Sequence, residues 1–233
     1  MSAGVTQLIL VRHGRTEFNA ENRLQGQLDV PLSAEGVAQA DRVAPVISWL
    51  RPQAIVCSPL SRAHQTAAAI GRACGVEPVD DARLKEIDVG EWSGLRAEDL
   101  FRDDPRYEAG MVSDSDFRRP GGETGTEVMD RIAGAIDAIA TEHEGERVVV
   151  VSHGFALRTG MCRLLGGDYT ASRAWGGLSN CSWSLMDRFG DAEMARRGLD
   201  RRWRLRAYNC TVPAKPQGPA GGEGEGQAPI VGV

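Results

Sequence analysis

Short apolar runs that end in polar, glycine-containing loops alternate along this chain with stretches whose apolar residues recur every three to four positions. These are the two periodicities of strand and helix. Residues 7–11 form such a run and suit a strand buried on both faces of a parallel sheet. Ser33 can cap a helix with Glu35 in its first turn, after which Val37, Ala40, Val43, Ala44 and Ile47 repeat at helical spacing. Pro45 is expected to kink or divide that helix. Residues 54–57 predict a second strand. Ser58 and Pro59 then offer an N-cap and a first-turn proline for a helix ending near Gly75.

Thr124 and Glu127 have capping-box spacing ahead of Ile132, Ala135, Ile136 and Ile139, which predicts a third long helix. Residues 147–151 are a β-branched strand that leads through Ser152, His153 and Gly154 into a helix running to about Leu165. The alternation predicts an α/β fold: three α/β/α layers around a doubly wound, mostly parallel sheet, with ligands beyond the carboxyl ends of the strands. One domain is expected over residues 1–212. Residues 91–122, charged and less regular, with Tyr107, Met111 and Phe117, read as a lid, and residues 213–233, rich in Pro, Gly and Glu, as a disordered tail.

Composition narrows the partners. A net charge of -5 supplies no basic footprint for nucleic acid or a membrane surface. No stretch approaches the roughly 18 apolar residues of a membrane span, and no leader pattern opens the chain, so a cytoplasmic location is expected. The five cysteines include no CxxC pair and no nearby His at zinc-site spacing, so they read as reduced, mostly buried thiols.

Three polar motifs fall at predicted strand or helix ends: Arg12-His13-Gly14, Arg62, and His153-Gly154. Two guanidiniums and two imidazoles around a small pocket suit a phosphate, whose oxygens accept bidentate and charge-assisted hydrogen bonds. Paired histidines also suit a metal. Here, however, no Asp or Glu adjoins either one, and neighbouring arginines repel a divalent ion. The plainer alternatives are structural strand-end histidines and an Arg62 that pairs on a helix surface. His64 and His143 fall in predicted helices outside these motifs and suit surface or helix-end roles.

The segments LVRHGRTEFN, SPLSRAHQTA, LKEIDVGEWSG, PGGET and VVVVSHG, in this order, resemble the histidine phosphatase superfamily, which includes phosphoglycerate mutases. That resemblance implies a metal-independent phosphomonoesterase with no cofactor. His13 would be the nucleophile that becomes phosphohistidine, and Arg12, Arg62 and His153 would hold the phosphoryl oxygens. Asn19, Arg15, Thr16, Gln25 and Gly26 would bind phosphate or substrate. A neutral imidazole, with an ordinary pKa of about 6.5, can attack phosphorus if its other nitrogen donates to a fixed acceptor. By the same resemblance Glu86 would give a proton to the leaving alkoxide and later take one from water, with Asp88 and Glu91 as rivals for that role.

Mutases of the family carry RHYG after this glutamate and a longer lid, whereas EIDVGEWSG with its shorter interval resembles the phosphatases. WGGLSNCSW and WRLRAYNCT resemble the actinobacterial branch that acts on glucosyl-3-phosphoglycerate. The implied partner is a small sugar-linked phosphoglycerate, with Arg15, Arg118 and Arg119 as carboxylate or sugar contacts. A broad-specificity phosphatase, a mutase, a phosphopeptide phosphatase and a non-catalytic phosphate-binding module remain as alternatives. A homodimer is a family-level expectation, and Trp175 and Trp183 read as core residues.

Overall fold

In the computed structural model, which describes residues 4–112 and 116–213, the apolar runs become neighbouring strands of one sheet. In chain order the elements are β1 (Val5–Arg12), α1 (Glu17–Ala20), α2 (Ala34–Trp49), β2 (Ala54–Cys57), α3 (Ser61–Cys74), β3 (Pro78–Asp80), α4 (Ala97–Asp103) and α5 (Pro105–Val112). They continue with α6 (Gly125–Glu142), β4 (Arg147–Ser152), α7 (Gly154–Leu164), α8 (Tyr169–Ser172), β5 (Trp183–Phe189), α9 (Asp191–Arg197) and β6 (Trp203–Cys210).

The strand order is β3-β2-β4-β1-β5-β6. The first four strands are parallel, and β5 and β6 add antiparallel pairs at one side. Alternate residues of the central strands feed two cores. Leu8, Leu10, Val148 and Val150 pack with Ile132, Ile136 and Leu157 of α6 and α7, while Ile9, Val11, Val149 and Val151 pack with Val43, Ile47, Ala67 and Ile70 of α2 and α3. A three-layer α/β/α architecture follows, as the alternation predicts.

Local signals hold where the cap lies beside its helix. Ser33 accepts from the Gly36 amide, and Thr124 and Glu127 form the reciprocal capping box at the start of α6. Pro45 does not divide α2, which runs unbroken over it. The start of α3 corrects the sequence reading. Leu60, not Ser58, takes the N-cap position and makes no side-chain cap bond. Instead the Asp29 carboxylate accepts from the Ser61 amide at 2.6 Å and the Ser61 hydroxyl at 2.8 Å.

The segment over 91–122 is also more regular than its composition suggests, since it contains α4 and α5. They close on Trp92, 2% exposed, which stacks edge-on against Tyr107 at 5.1 Å and donates its indole N–H to Asp104 at 3.0 Å. Trp175 and Trp183 are half-buried and pack against opposite cores. Among the described residues no helix is long and apolar enough to cross a membrane. Apart from residue 213, the expected disordered tail lies outside the described residues.

Candidate active site

Because β2, β4 and β1 are adjacent and parallel, their carboxyl ends deliver Ser58, His153 and His13 to one place. The two imidazoles meet with ring centroids 5.1 Å apart and planes at 60°. The His13 amide donates to the Ser152 carbonyl at 3.0 Å, which locks the turn after β1 to the end of β4. Close backbone packing fixes the same turn from the α2 side: a Cβ on Gly36 would fall 1.9 Å from the Arg15 carbonyl oxygen.

His13 is 3% exposed, and its Nδ1 lies 2.7 Å from the Gly14 carbonyl oxygen. A carbonyl only accepts, so Nδ1 carries the hydrogen and Nε2 is left with its lone pair. Burial, with the Arg62 and Arg12 charges added, holds the His13 pKa well below its ordinary value. The imidazole is therefore neutral at neutral pH, the state a nucleophile needs.

His153 is fully buried and its pKa is lowered by burial, then by Arg62, His13 and Arg12. Arg62 Nε donates to its Nδ1 at 3.2 Å, so the Nε2 hydrogen faces Ser58 Oγ at 2.9 Å. Arg62, itself buried, spends its two other nitrogens on the Leu28 and Gly26 carbonyls at 2.7 and 2.8 Å. Burial lowers its pKa to about 10, against the attraction of Glu86 and Asp29, so it remains a cation. Gly26 thus enters the site as a carbonyl that positions Arg62. Its φ of +49° and the contact of 2.7 Å that a Cβ would make with Val89 favour glycine there.

Arg12 donates to the Leu178 carbonyl, and burial lowers its pKa. Among the described residues, Arg12 Nε and Gln25 Oε1 are buried polar atoms without a hydrogen-bond partner. A donor left over beside two neutral imidazoles fits an anionic oxygen. The loop that takes the Arg12 bond also supplies Asn180, whose amide donates to the His13 carbonyl at 3.1 Å. It is held by Cys181 in a left-handed conformation at φ 53°, rare for a residue with a side chain.

Glu86 sits against the first turn of α7. Its oxygens accept from the Ala156 amide at 2.9 Å, the Phe155 amide at 3.2 Å and its neighbour Ile87 at 2.9 Å. Its rivals are turned elsewhere: Asp88 accepts from the Gly90 amide at 2.9 Å, and Glu91 pairs with Arg106 at 3.2 Å in solvent. The turn bearing Glu86 is clamped by Arg131, which donates to the Arg83, Lys85 and Glu86 carbonyls and pairs with Glu123 at 2.7 Å.

The remaining sequence candidates divide. Thr16 and Asn19 form a capping box on α1, with Asn19 Oδ1 3.1 Å from the Thr16 amide and 3.4 Å from Asn180 Nδ2. Arg15 pairs with Glu35 at 2.8 Å at the surface, and Arg118 with Glu127 of the α6 cap. Arg119, in contrast, is 6% exposed, its guanidinium 4.9 Å from the Phe117 ring centroid and 5.1 Å from that of Phe155. Arg158 lies over Phe155 as well, at 5.4 Å, with its Nε buried and unpartnered. An aromatic and cationic wall therefore adjoins the Glu86 cradle through Phe155.

Ser58, Gln25 Oε1 as an unpartnered acceptor, Asn180, Arg158 and the Arg131–Glu123 clamp complete the surroundings. Ser58 and Asn180 stand inside the SPLSRAHQTA and WGGLSNCSW segments, and Glu123 inside PGGET, so the segments carried a signal that did not assign these residues. His64 and His143 lie outside this group, paired with Asp80 and Glu146 at 2.9 and 2.8 Å.

The family model described as histidine phosphatase superfamily (branch 1) matches residues 8–200. A probable phosphoglycerate mutase GpmB of Shigella boydii serotype 18 is 37% identical over 182 residues, covering 78% of this chain and 84% of that protein. The structure of a mycobacterial glucosyl-3-phosphoglycerate phosphatase in complex with VO3 superposes with a TM-score of 0.79 at 31% identity, covering 88% of this chain and 99% of the other. A phosphoserine phosphatase mutant from Entamoeba histolytica in complex with phosphoserine has a TM-score of 0.72 at 27% identity, covering 88% and 96% of the two chains.

Proposed function

The chain belongs to the histidine phosphatase superfamily, enzymes that act on phosphate groups, and on that premise we propose that it hydrolyses a small phosphomonoester through a phosphohistidine at His13. The observation that carries this reading is the neutral, buried His13 with Nδ1–H fixed on the Gly14 carbonyl and Nε2 free beside two cationic arginines. Nε2 attacks phosphorus, the bond from phosphorus to the ester oxygen breaks, and the leaving alkoxide takes the proton of Glu86. Water then attacks the phosphohistidine, Glu86 takes its proton, and the nitrogen–phosphorus pair returns to Nε2. Arg12, Arg62 and His153 stabilise the charge that moves onto the phosphoryl oxygens, the largest contribution expected in such a site.

Hydrolysis, rather than return of the phosphoryl group to the product, is supported by the EIDVGEWSG segment and by similarity to the mycobacterial phosphatase over nearly its whole length. Mutase action is the second reading, supported by the GpmB relatives. For the substrate we favour a sugar-linked phosphoglycerate. Arg119 and Arg158 offer cations for a carboxylate, and Phe155 offers a ring face for a sugar, next to Glu86.

The test is phosphate release from glucosyl-3-phosphoglycerate, 3-phosphoglycerate and p-nitrophenyl phosphate in excess EDTA, for wild type and His13→Ala. EDTA-resistant release that prefers the first compound and falls by at least about a thousandfold in the variant is expected. Release that survives His13→Ala would overturn the phosphohistidine route. Conversion of 3-phosphoglycerate to its isomer without net phosphate release would establish the mutase instead.

A further inference from the structure

A second cluster of reactive side chains lies at the β3 edge of the sheet. Cys57 ends β2 and Asp80 ends β3, and the two are register partners across the ladder. His64 reaches them from the first turn of α3. Cys57 Sγ is 3.1 Å from Asp80 Oδ1, His64 Nδ1 is 2.9 Å from the same oxygen, and sulfur and nitrogen are 3.9 Å apart. All three candidate ligand atoms lie within 4.8 Å of one another.

A tetrahedral ion that holds nitrogen and oxygen at about 2.0–2.2 Å and sulfur at about 2.3 Å needs ligand atoms about 3.3–3.7 Å apart, so the two contacts to Asp80 would open by about half an ångström and the sulfur–nitrogen gap would close slightly. Thiolate, imidazole and carboxylate together select zinc over magnesium or calcium, which take oxygen ligands. Two anionic ligands would neutralise a divalent charge. The arrangement does not suit a nucleophilic thiol: burial and the Asp80 contact raise the Cys57 pKa, and His64 directs Nδ1 at Asp80 rather than activating the sulfur.

We propose that Cys57, His64 and Asp80 form a binding site for a zinc-type divalent cation, with water in the fourth position. On binding, the Cys57 thiol proton leaves to solvent and sulfur takes its place on the metal. The His64 hydrogen moves through solvent from Nδ1 to Nε2, so that Nδ1 ligates. The ion would tie β2, β3 and α3 together through ligands one residue from Ser58 and two from Arg62 in the chain, none of them among the residues assigned to the phosphate chemistry.

Cobalt titration of the full chain tests this. A near-ultraviolet thiolate-to-cobalt band that saturates at one ion per chain, is displaced by zinc, and disappears in Cys57→Ser is expected. His64→Ala removes a half-exposed side chain and should leave the far-ultraviolet CD spectrum intact while weakening zinc at least about tenfold in competition with a chromophoric chelator. A wild type without the cobalt band, a band that persists in Cys57→Ser, or equal zinc affinity in wild type and His64→Ala would each overturn the proposal. Any of these would leave the three groups as a hydrogen-bonded cluster only.

Discussion

His13 and His153 are both buried with pKa values held below the ordinary imidazole value, and that displacement couples the site to folding. In the unfolded chain each histidine binds a proton as pH falls through about 6.5, while the native protein keeps both neutral. The unfolded state then binds more protons, so stability is lost as pH decreases below 6.5 and recovered as it rises. Each histidine contributes a slope that approaches about 1.4 kcal/mol per pH unit only well below pH 6.5, where the unfolded imidazole is fully protonated, about 2.7 for the two together. Stability measured by urea unfolding without phosphate should fall by about 2.5 kcal/mol between pH 7 and 5.5 through these two groups, and His153→Gln should roughly halve that loss and its slope. An unchanged slope would assign the pH dependence to other groups. Both histidines were legible in the sequence because a glycine-bearing polar triplet at a strand end has few structural uses. Ser58 and Asn180 were not, since each acquires its role from a partner 95 or 167 residues away.

At the scale of elements, legibility followed the distance between cap and helix. The α2 and α6 caps lie within their own turns and could be read directly, whereas α3 is started by Asp29, 32 residues before Ser61. No local rule finds such a cap, and Ser58, which resembled one, is instead taken by His153. The Ser61 amide and hydroxyl hold the Asp29 carboxyl below its ordinary pKa, so it is charged at the positive end of the helix that carries Arg62. Asp29→Ala should therefore destabilise the protein by about 0.5–2 kcal/mol at pH 7, measured as the shift of the urea midpoint. Asp29→Asn should recover part of the loss. A midpoint unmoved in Asp29→Ala would show that solvent serves the Ser61 donors equally well. The strands β5 and β6 went unread for another reason. Exposed Arg204 and Arg206 alternate with Trp203, Leu205 and Ala207 along β6, an edge strand that buries only one face incompletely, so its period-two signal is weak.

Over the whole molecule, the site draws on turns after β1, β2 and β4, on the Glu86 turn, and on the loop before β5, so no contiguous part of the chain holds it. The parallel arrangement, though not the order of the strands, was readable because alternating strand and helix leaves few ways to bury strands apolar on both faces. The same strands couple the two cores. Val148 and Val150 belong to one core and Val149 and Val151 to the other, all within β4 and all fully buried. Loosening either face shifts the strand that supports His153. Ile136→Ala beneath α6 and Ile70→Ala beneath α3 remove fully buried side chains from opposite cores, and each should cost about 2–5 kcal/mol. If the sheet transmits the loss, phosphate release and far-ultraviolet CD will disappear at one urea midpoint in wild type and in both variants, displaced equally by either substitution for equal cost. Activity lost at lower urea than CD in Ile70→Ala alone would mean that the α2–α3 layer opens separately, with the Arg62 side of the pocket released before the α6–α7 side.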